Sequence, residues 1–235
     1  GFDTNGMASF FERLLRANRL NEFKGAPGYL RTHPLTTERI ADIQGRIEGG
    51  VHKMVPDSFE YRLVRAKLLA LAGAPAEALR LFETRLQDAT VVRPREDVYG
   101  LALAQRRVRD FDAAWKTLEP LRQAGTSQPA FELLAAQLLA DRGRPEEALA
   151  LYRESLQRHA RHRGLAYAYL DLLLQRGRSG EVIEEVERRL RTAPEDARLH
   201  EFQARAFAAA QRPLSQHRAQ AEALCRRGNL AAAVE

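Results

Sequence analysis

One passage recurs along this chain every 34 to 36 residues, and nothing else in the sequence narrows its fold as far. Residues 73–82 read Gly-Ala-Pro-Ala-Glu-Ala-Leu-Arg-Leu-Phe, a turn running into a helix. The passage returns at 109–118, 143–152 and 177–186. Its small residue steps from Ala78 to Ala114, Ala148 and Val182, at spacings of 36, 34 and 34. Four positions later comes a larger apolar residue, Phe82, Leu118, Tyr152 and Val186, on the same helical face. Ahead of each passage lies another helix, marked by Ala66, Ala102 and Ala136. Gly73, Gly143 and Gly177 suit the left-handed turn after a helix end. Pro75 and Pro145 suit the first turn of the helix that follows. Each unit is therefore a helical hairpin. Its first helix, as at 63–71 or 131–139, is apolar on more than one side, because it packs on its partner and on the next unit.

A period near 34 with helix–turn–helix units is the signature of the tetratricopeptide repeat. The expected fold class is all-α: a right-handed solenoid of tetratricopeptide-type hairpins, preceded by a helix-loop-helix segment. Four repeats fill 57–195. No Trp opens a repeat, and the fourth has Leu170 and Val182 where small residues are usual. Beyond Pro194 the pattern continues less regularly. Helices are expected at 197–211 and 214–227, and Gly228-Asn229-Leu230-Ala231-Ala232-Ala233 starts the passage again. Residues 196–235 are thus expected to be further repeat-like or capping helices, cut short. Carrying the first-helix register across the repeats places Lys67, Tyr99, Arg106, Gln137, Tyr167 and Asp171 in a partner-binding groove. Some of them would pack between repeats instead if the register slips.

The first 50 residues do not repeat. Met7, Phe10, Phe11, Leu14 and Leu15 share one helical face. Gly25, Pro27, Gly28 and Pro34 make 21–33 a loop, and Thr36 or Thr37 can cap a second helix carrying Ile40, Ile43 and Ile47. This helix-loop-helix needs a surface on which to bury its apolar face.

Composition removes several classes of function. Cys225 stands alone, so neither an internal disulfide framework nor a Cys-based zinc site can form. No run reaches the roughly 18 apolar residues of a membrane-spanning helix. Of 37 basic residues 33 are Arg, yet the net charge is only +6, the acids are interspersed, and no nucleic-acid-binding motif appears. Gly45-Arg46-Ile47-Glu48-Gly49-Gly50 lacks the Gly-Lys-Ser/Thr of a phosphate-binding loop. His159 and His162 have a metal-compatible spacing but sit among Arg158, Arg161 and Arg163, with no acidic third ligand, and read as an inter-helix turn. Arg226 and Arg227 beside Cys225 would favour a thiolate; a small residue packed on the last helix is the alternative.

Three stretches of the N-terminal segment carry a resemblance: Gly1-Phe2-Asp3, Met7-Ala8-Ser9-Phe10-Phe11-Glu12-Arg13-Leu14, and Tyr29-Leu30-Arg31-Thr32-His33-Pro34-Leu35-Thr36-Thr37-Glu38-Arg39-Ile40-Ala41-Asp42. They resemble the end of an HtpX-type zinc metallopeptidase domain, in the BepA-like branch that carries C-terminal tetratricopeptide repeats. On that resemblance residues 1–50 are the tail of the peptidase domain. It implies an exported, periplasmic parent protein with zinc in its catalytic domain. It also implies repeats that bind clients such as outer-membrane β-barrel proteins, or their assembly machinery. The family's zinc helix is His-Glu-x-x-His, in which two His hold the metal and the Glu activates water. The only His-Glu pair here is His200-Glu201, and residue 204 is Ala. This chain is therefore expected to be non-catalytic, without a metal or cofactor of its own, and the motif is expected upstream of Gly1. The start without Met fits either a removed targeting segment or a piece of a longer protein. By resemblance His33 would come back near the parent's zinc site as a modulator. In its own right it shapes the turn before Pro34.

The partners expected are protein clients or peptide segments, not nucleic acid. Membrane association would run through partners at the outer membrane, and the exposed face of Met7 or an open repeat end could make the chain self-associate. The alternative is a stand-alone repeat scaffold or adaptor with no peptidase attached.

Overall fold

Most helix boundaries in the repeat region have a local cause in the turn residues. The computed structural model describes residues 5–18, 41, 45, 56–88, 94–125 and 127–234. The chain divides into two units, Gly1–Ser58 and Phe59–Glu235. In the first, α1 spans Asn5–Asn18. Met7 and Phe10 are 53% and 51% exposed, so this half of the expected apolar face stands open. Phe10 packs edge-on against Phe11, with centroids 5.4 Å apart. Ala41 and Gly45 are helical and exposed. The rest of the expected second helix, with Ile40, Ile43 and Ile47, the 21–33 loop and His33 lie outside the described residues, as do the side chains of Leu14 and Leu15.

The second unit is a run of helical hairpins. The first pairs α2 (Phe59–Leu71) with α3 (Pro75–Gln87), and the second α4 (Arg95–Arg107) with α5 (Phe111–Gln123). The third pairs α6 (Pro129–Asp141) with α7 (Pro145–Arg158), and the fourth α8 (Arg163–Gln175) with α9 (Ser179–Leu190). A fifth pairs α10 (Ala197–Ala209) with α11 (Pro213–Arg226), and the short α12 (Leu230–Val234) packs on α11. The main packing joins helices of one hairpin or of consecutive hairpins, as a solenoid requires. Among the described residues there is no β-strand. No helix of the described residues is long and apolar enough to cross a membrane.

Turn chemistry sets the boundaries. Gly73, Gly143 and Gly177 take positive φ of 58°, 76° and 72°. Arg109 and Gln211 hold the same left-handed place with side chains, at 65° and 55°. After Gly143 the Arg144 N–H reaches back to the Leu139 carbonyl at 2.9 Å, which satisfies an end carbonyl of α6. Asp110 caps α5 by accepting the Ala113 N–H at 3.0 Å. Arg107 donates to the carbonyls of Ala70, Ala72 and Gly73, closing the C-terminus of α2 from the next repeat.

The repeating small residues make the core. Ala66, Ala102, Ala136, Ala78, Ala114 and Ala148 are all at most 4% exposed. The fourth hairpin seals the same seam with larger residues, Leu170 and Val182, both fully buried. Phe82, Leu118, Tyr152 and Val186 are at most 2% exposed. At Gly100 the reason for glycine is direct: a Cβ there would stand 2.2 Å from Phe82 Cε1.

Many of the arginines are spent within the solenoid. Arg62 pairs with Glu96, Arg142 with Asp112, and Arg178 with Glu146, each bond joining one repeat to the next. Arg122 reaches the buried Glu132 through Nε and Nη2, at 3.2 and 3.0 Å, and lies over Trp115. Arg95 lies over the rings of both Phe59 and Phe131. Pairing and ring stacking account for much of the arginine excess.

Candidate interaction site

The first helices of the hairpins (α2, α4, α6, α8 and α10) carry the register of the expected groove residues. Lys67 on α2 is exposed, and its charge is one of those acting on His162, three repeats on. Arg106, at the end of α4, pairs with Asp141 at the end of α6, 2.5 Å apart. Gln137 on α6 is half-buried. Asp171 on α8 accepts from Arg205 on α10 at 2.9 Å. Arg106, Asp141 and Asp171 all act on the Tyr152 hydroxyl, whose pKa burial pushes far up. Burial is the main cause; Asp141 and Asp171 add to the rise, and the Arg106 charge opposes it.

Tyr99 does not join them. It is only 2% exposed, its ring lies 5.6 Å from that of Phe131, and burial pushes its pKa up to about 12. It packs inside the stack because the helices around it supply a closed apolar niche, so Tyr99 is not a groove residue.

Tyr167 belongs to a second cluster, between α8 and α10. Its hydroxyl donates to Asp196 Oδ2 at 2.6 Å and accepts from Arg163 Nε at 2.8 Å. Arg163 also pairs with Asp196 Oδ2 at 2.9 Å. The other carboxylate oxygen of Asp196 caps α10, accepting from the backbone of Arg198 at 3.1 Å and Leu199 at 3.4 Å. The Tyr167 ring stacks on Phe202 at 5.8 Å, and the Arg198 guanidinium lies 4.7 Å from its centroid. Burial raises the Tyr167 pKa, and its hydrogen bond to Asp196 adds to that. The cluster lines one wall of an open cleft of about 1100 Å³ that runs over the α7–α8 and α9–α10 connections.

The histidines are used in turns. His162 Nδ1 accepts the Leu165 N–H at 3.1 Å and caps α8. His159 Nε2 meets Ser127 Oγ at 2.9 Å. His200 Nε2 lies 3.0 Å from the Pro194 carbonyl, and Glu201 pairs with Arg227. Among the described residues no three His, Cys, Asp or Glu side chains converge in a way that could hold a metal ion. Cys225 is exposed, not packed.

The sequence reading missed Asp141 and Arg205, each the ion-pair partner of a residue that it named. A signal was there: Asp141 stands 35 residues after Arg106 and Arg205 stands 34 after Asp171, opposite charges one period apart. Arg163 and Asp196 are also opposite charges, 33 residues apart, but Asp196 is the residue that caps α10 and lies outside the first-helix register.

Comparison with known proteins agrees with this architecture. The tetratricopeptide repeat family profile matches residues 139–206. The beta-barrel assembly-enhancing protease of Escherichia coli (strain K12) is 29% identical over 153 residues, covering 63% of this chain and 30% of that protein. A Vibrio cholerae serotype O1 protein named after the same protease is 34% identical over 125 residues, covering 52% of this chain and 24% of its own length. This chain thus spans less than a third of the relatives that it matches. Among solved structures, a MamA crystal form superposes with a TM-score of 0.52 at 15% identity, covering 72% of this chain and 94% of the other. YrrB, described as a TPR protein with an unusual peptide-binding site, superposes with a TM-score of 0.50 at 14% identity, covering 76% and 90%. At such identities the match speaks for the solenoid fold alone.

Proposed function

We propose that this chain is the client-binding repeat region of a beta-barrel assembly-enhancing type of protease, and that its groove receives segments of proteins bound for the outer membrane. The observation that carries the reading is the similarity over 153 residues to the Escherichia coli protease of that name, together with the repeat fold. A stack of hairpins offers a long, preformed, concave surface, the usual way such repeats hold a helix or an extended segment. Here that surface presents Lys67, the Arg106–Asp141 pair, Gln137 and the Asp171–Arg205 pair. Paired charges of both signs suit a polar, extended client better than an apolar helix.

In this reading the parent protein is a zinc metalloendopeptidase of the periplasm, and its repeats present clients to a catalytic domain. The zinc, in this reading, belongs to that catalytic domain. In the same reading His33 would act as a modulator near the parent's zinc site.

The test uses the 235-residue chain and a urea-unfolded outer-membrane β-barrel protein diluted into its presence. Fluorescence anisotropy should give saturable binding. Asp171→Arg with Lys67→Glu should weaken it at least tenfold, while melting as the parent chain does. Binding that both substitutions leave untouched would remove the groove from the reading. Cleavage of the client by the purified chain, suppressed by a chelator, would overturn the non-catalytic role.

A further inference from the structure

The geometry points to the cleft between α8 and α10 as a separate docking site for an acidic peptide segment with an aliphatic anchor. The inference rests on the protein-binding reading above and names a partner chemistry for a part of the surface that the reading does not use.

Charge comes first. Five Arg and two acids line the cleft. Both acids are occupied: Asp196 is held by Arg163 and by the α10 backbone, and Glu195 pairs with Arg226 at 2.9 Å. Glu185 engages Arg188 and Arg189. Arg161 and Arg191 are exposed, and neither has an ion-pair partner among the described residues. Two unneutralised guanidinium groups therefore flank the opening.

Preorganisation comes second. Arg163 is 69% exposed along its side chain, yet its guanidinium is pinned by Tyr167 and Asp196 through Nε and Nη2. Nη1 has no partner among the described residues. An incoming carboxylate meets the free Nη1 of a guanidinium whose orientation is already set, so less side-chain entropy is lost on binding.

The floor decides the kind of anion. It consists of Ala166, Ala193, Pro194 and Leu199, small aliphatic surface that accepts a Leu or Val side chain. The one aromatic ring of the lining is already covered, by Phe202 stacked at 5.8 Å and by Arg198 at 4.7 Å. A nucleic acid would want a bare ring on which to stack a base. An acidic peptide needs only the floor and the guanidinium groups beside it.

The probe is a fluorescein-labelled hexapeptide, Glu-Asp-Leu-Val-Asp-Glu, titrated with the 235-residue chain at low and moderate salt. Saturable binding that weakens with salt is expected. The Arg161→Glu/Arg191→Glu pair should weaken it at least tenfold without lowering the melting temperature, since both side chains are exposed. The Gln–Asn version of the peptide should bind at least tenfold more weakly. Gln137→Ala, an uncharged change in the groove, should leave hexapeptide binding unchanged. Equal or tighter binding of a single-stranded oligonucleotide, with the same dependence on Arg161 and Arg191, would overturn the proposal in favour of nonspecific polyanion attraction. So would an affinity that the charge reversals leave unchanged, or no binding at all. Loss of the hexapeptide site with client binding intact would leave the groove reading standing.

Discussion

His162 shows how one side chain ties this fold to pH. Its ring nitrogen caps α8 only as an unprotonated acceptor. Burial lowers its pKa below the ordinary histidine value of 6.5, and the neighbouring charges of His159 and Lys67 lower it further. The unfolded chain therefore takes up the proton first. The cap's contribution is complete above about pH 6.5 and is lost as pH falls through that value toward the folded pKa. His162→Ala should cost about 1 kcal/mol at pH 8, the usual worth of a helix cap. His162→Asn should restore most of it and flatten the dependence between pH 7 and 5. Melting curves of the three proteins across that range check this, and parallel curves would show that His162 does not titrate in the transition. Tyr167 makes a companion case. Tyr167→Phe keeps the ring stack on Phe202 but deletes the 2.6 Å bond to Asp196 and the one from Arg163. A loss of about 1 kcal/mol in denaturant unfolding is expected, the typical net worth of such a bond.

A helix in this array is defined by what its turns and seams demand. Gly100→Ala improves helix propensity by about 1 kcal/mol, but its methyl would meet the Phe82 ring at 2.2 Å. Overpacking of that kind costs ~1–3 kcal/mol. The substitution should therefore lower stability, and Gly100→Ala/Phe82→Leu should be less destabilised than the sum of its parts. Gln211→Gly should act the other way, raising the melting temperature, because Gln211 holds φ at 55° where glycine carries no steric penalty. The period made most of this scale legible in the sequence: Gly73, Gly143 and Gly177 announced left-handed turns, and Phe82, Leu118, Tyr152 and Val186 all proved buried. Arg109 and Gln211 hid the same turn behind side chains. Tyr99 was misplaced for a related reason: the same register position is an open wall at Tyr167 and a closed niche at Tyr99, and only the packing of neighbouring helices decides which. Gly100 could not be read at all, since its cause is a ring on another helix.

Across the whole repeat unit, stability should be local, because the main packing runs only between consecutive hairpins. The core is not evenly sealed along this line. On α6, Phe131, Leu134, Ala135, Ala136 and Leu138 are at most 1% exposed. On α2, by contrast, Val64, Leu68 and Leu71 are 50–63% exposed, and Leu214 on α11 is 85% exposed. The middle hairpins should therefore be the last to open and the outer ones the first. Phe82→Ala removes a fully buried ring from the first hairpin, a change worth ~3–5 kcal/mol in a rigid core. In a one-dimensional array that loss stays with the hairpin concerned and the interface it shares with its neighbour. Hydrogen exchange read by mass spectrometry should show α2, α3 and the facing side of α4 losing protection, while α8, α9 and α10 exchange as in the parent chain. Equal loss of protection in every hairpin would mean that the unit unfolds all at once. The groove would then be lost with any single repeat, and a partner at α8–α10 would feel a substitution at Phe82. If the loss stays local, the α8–α10 cleft keeps its ligand when the first hairpin is open, and the two binding surfaces can be occupied or lost independently.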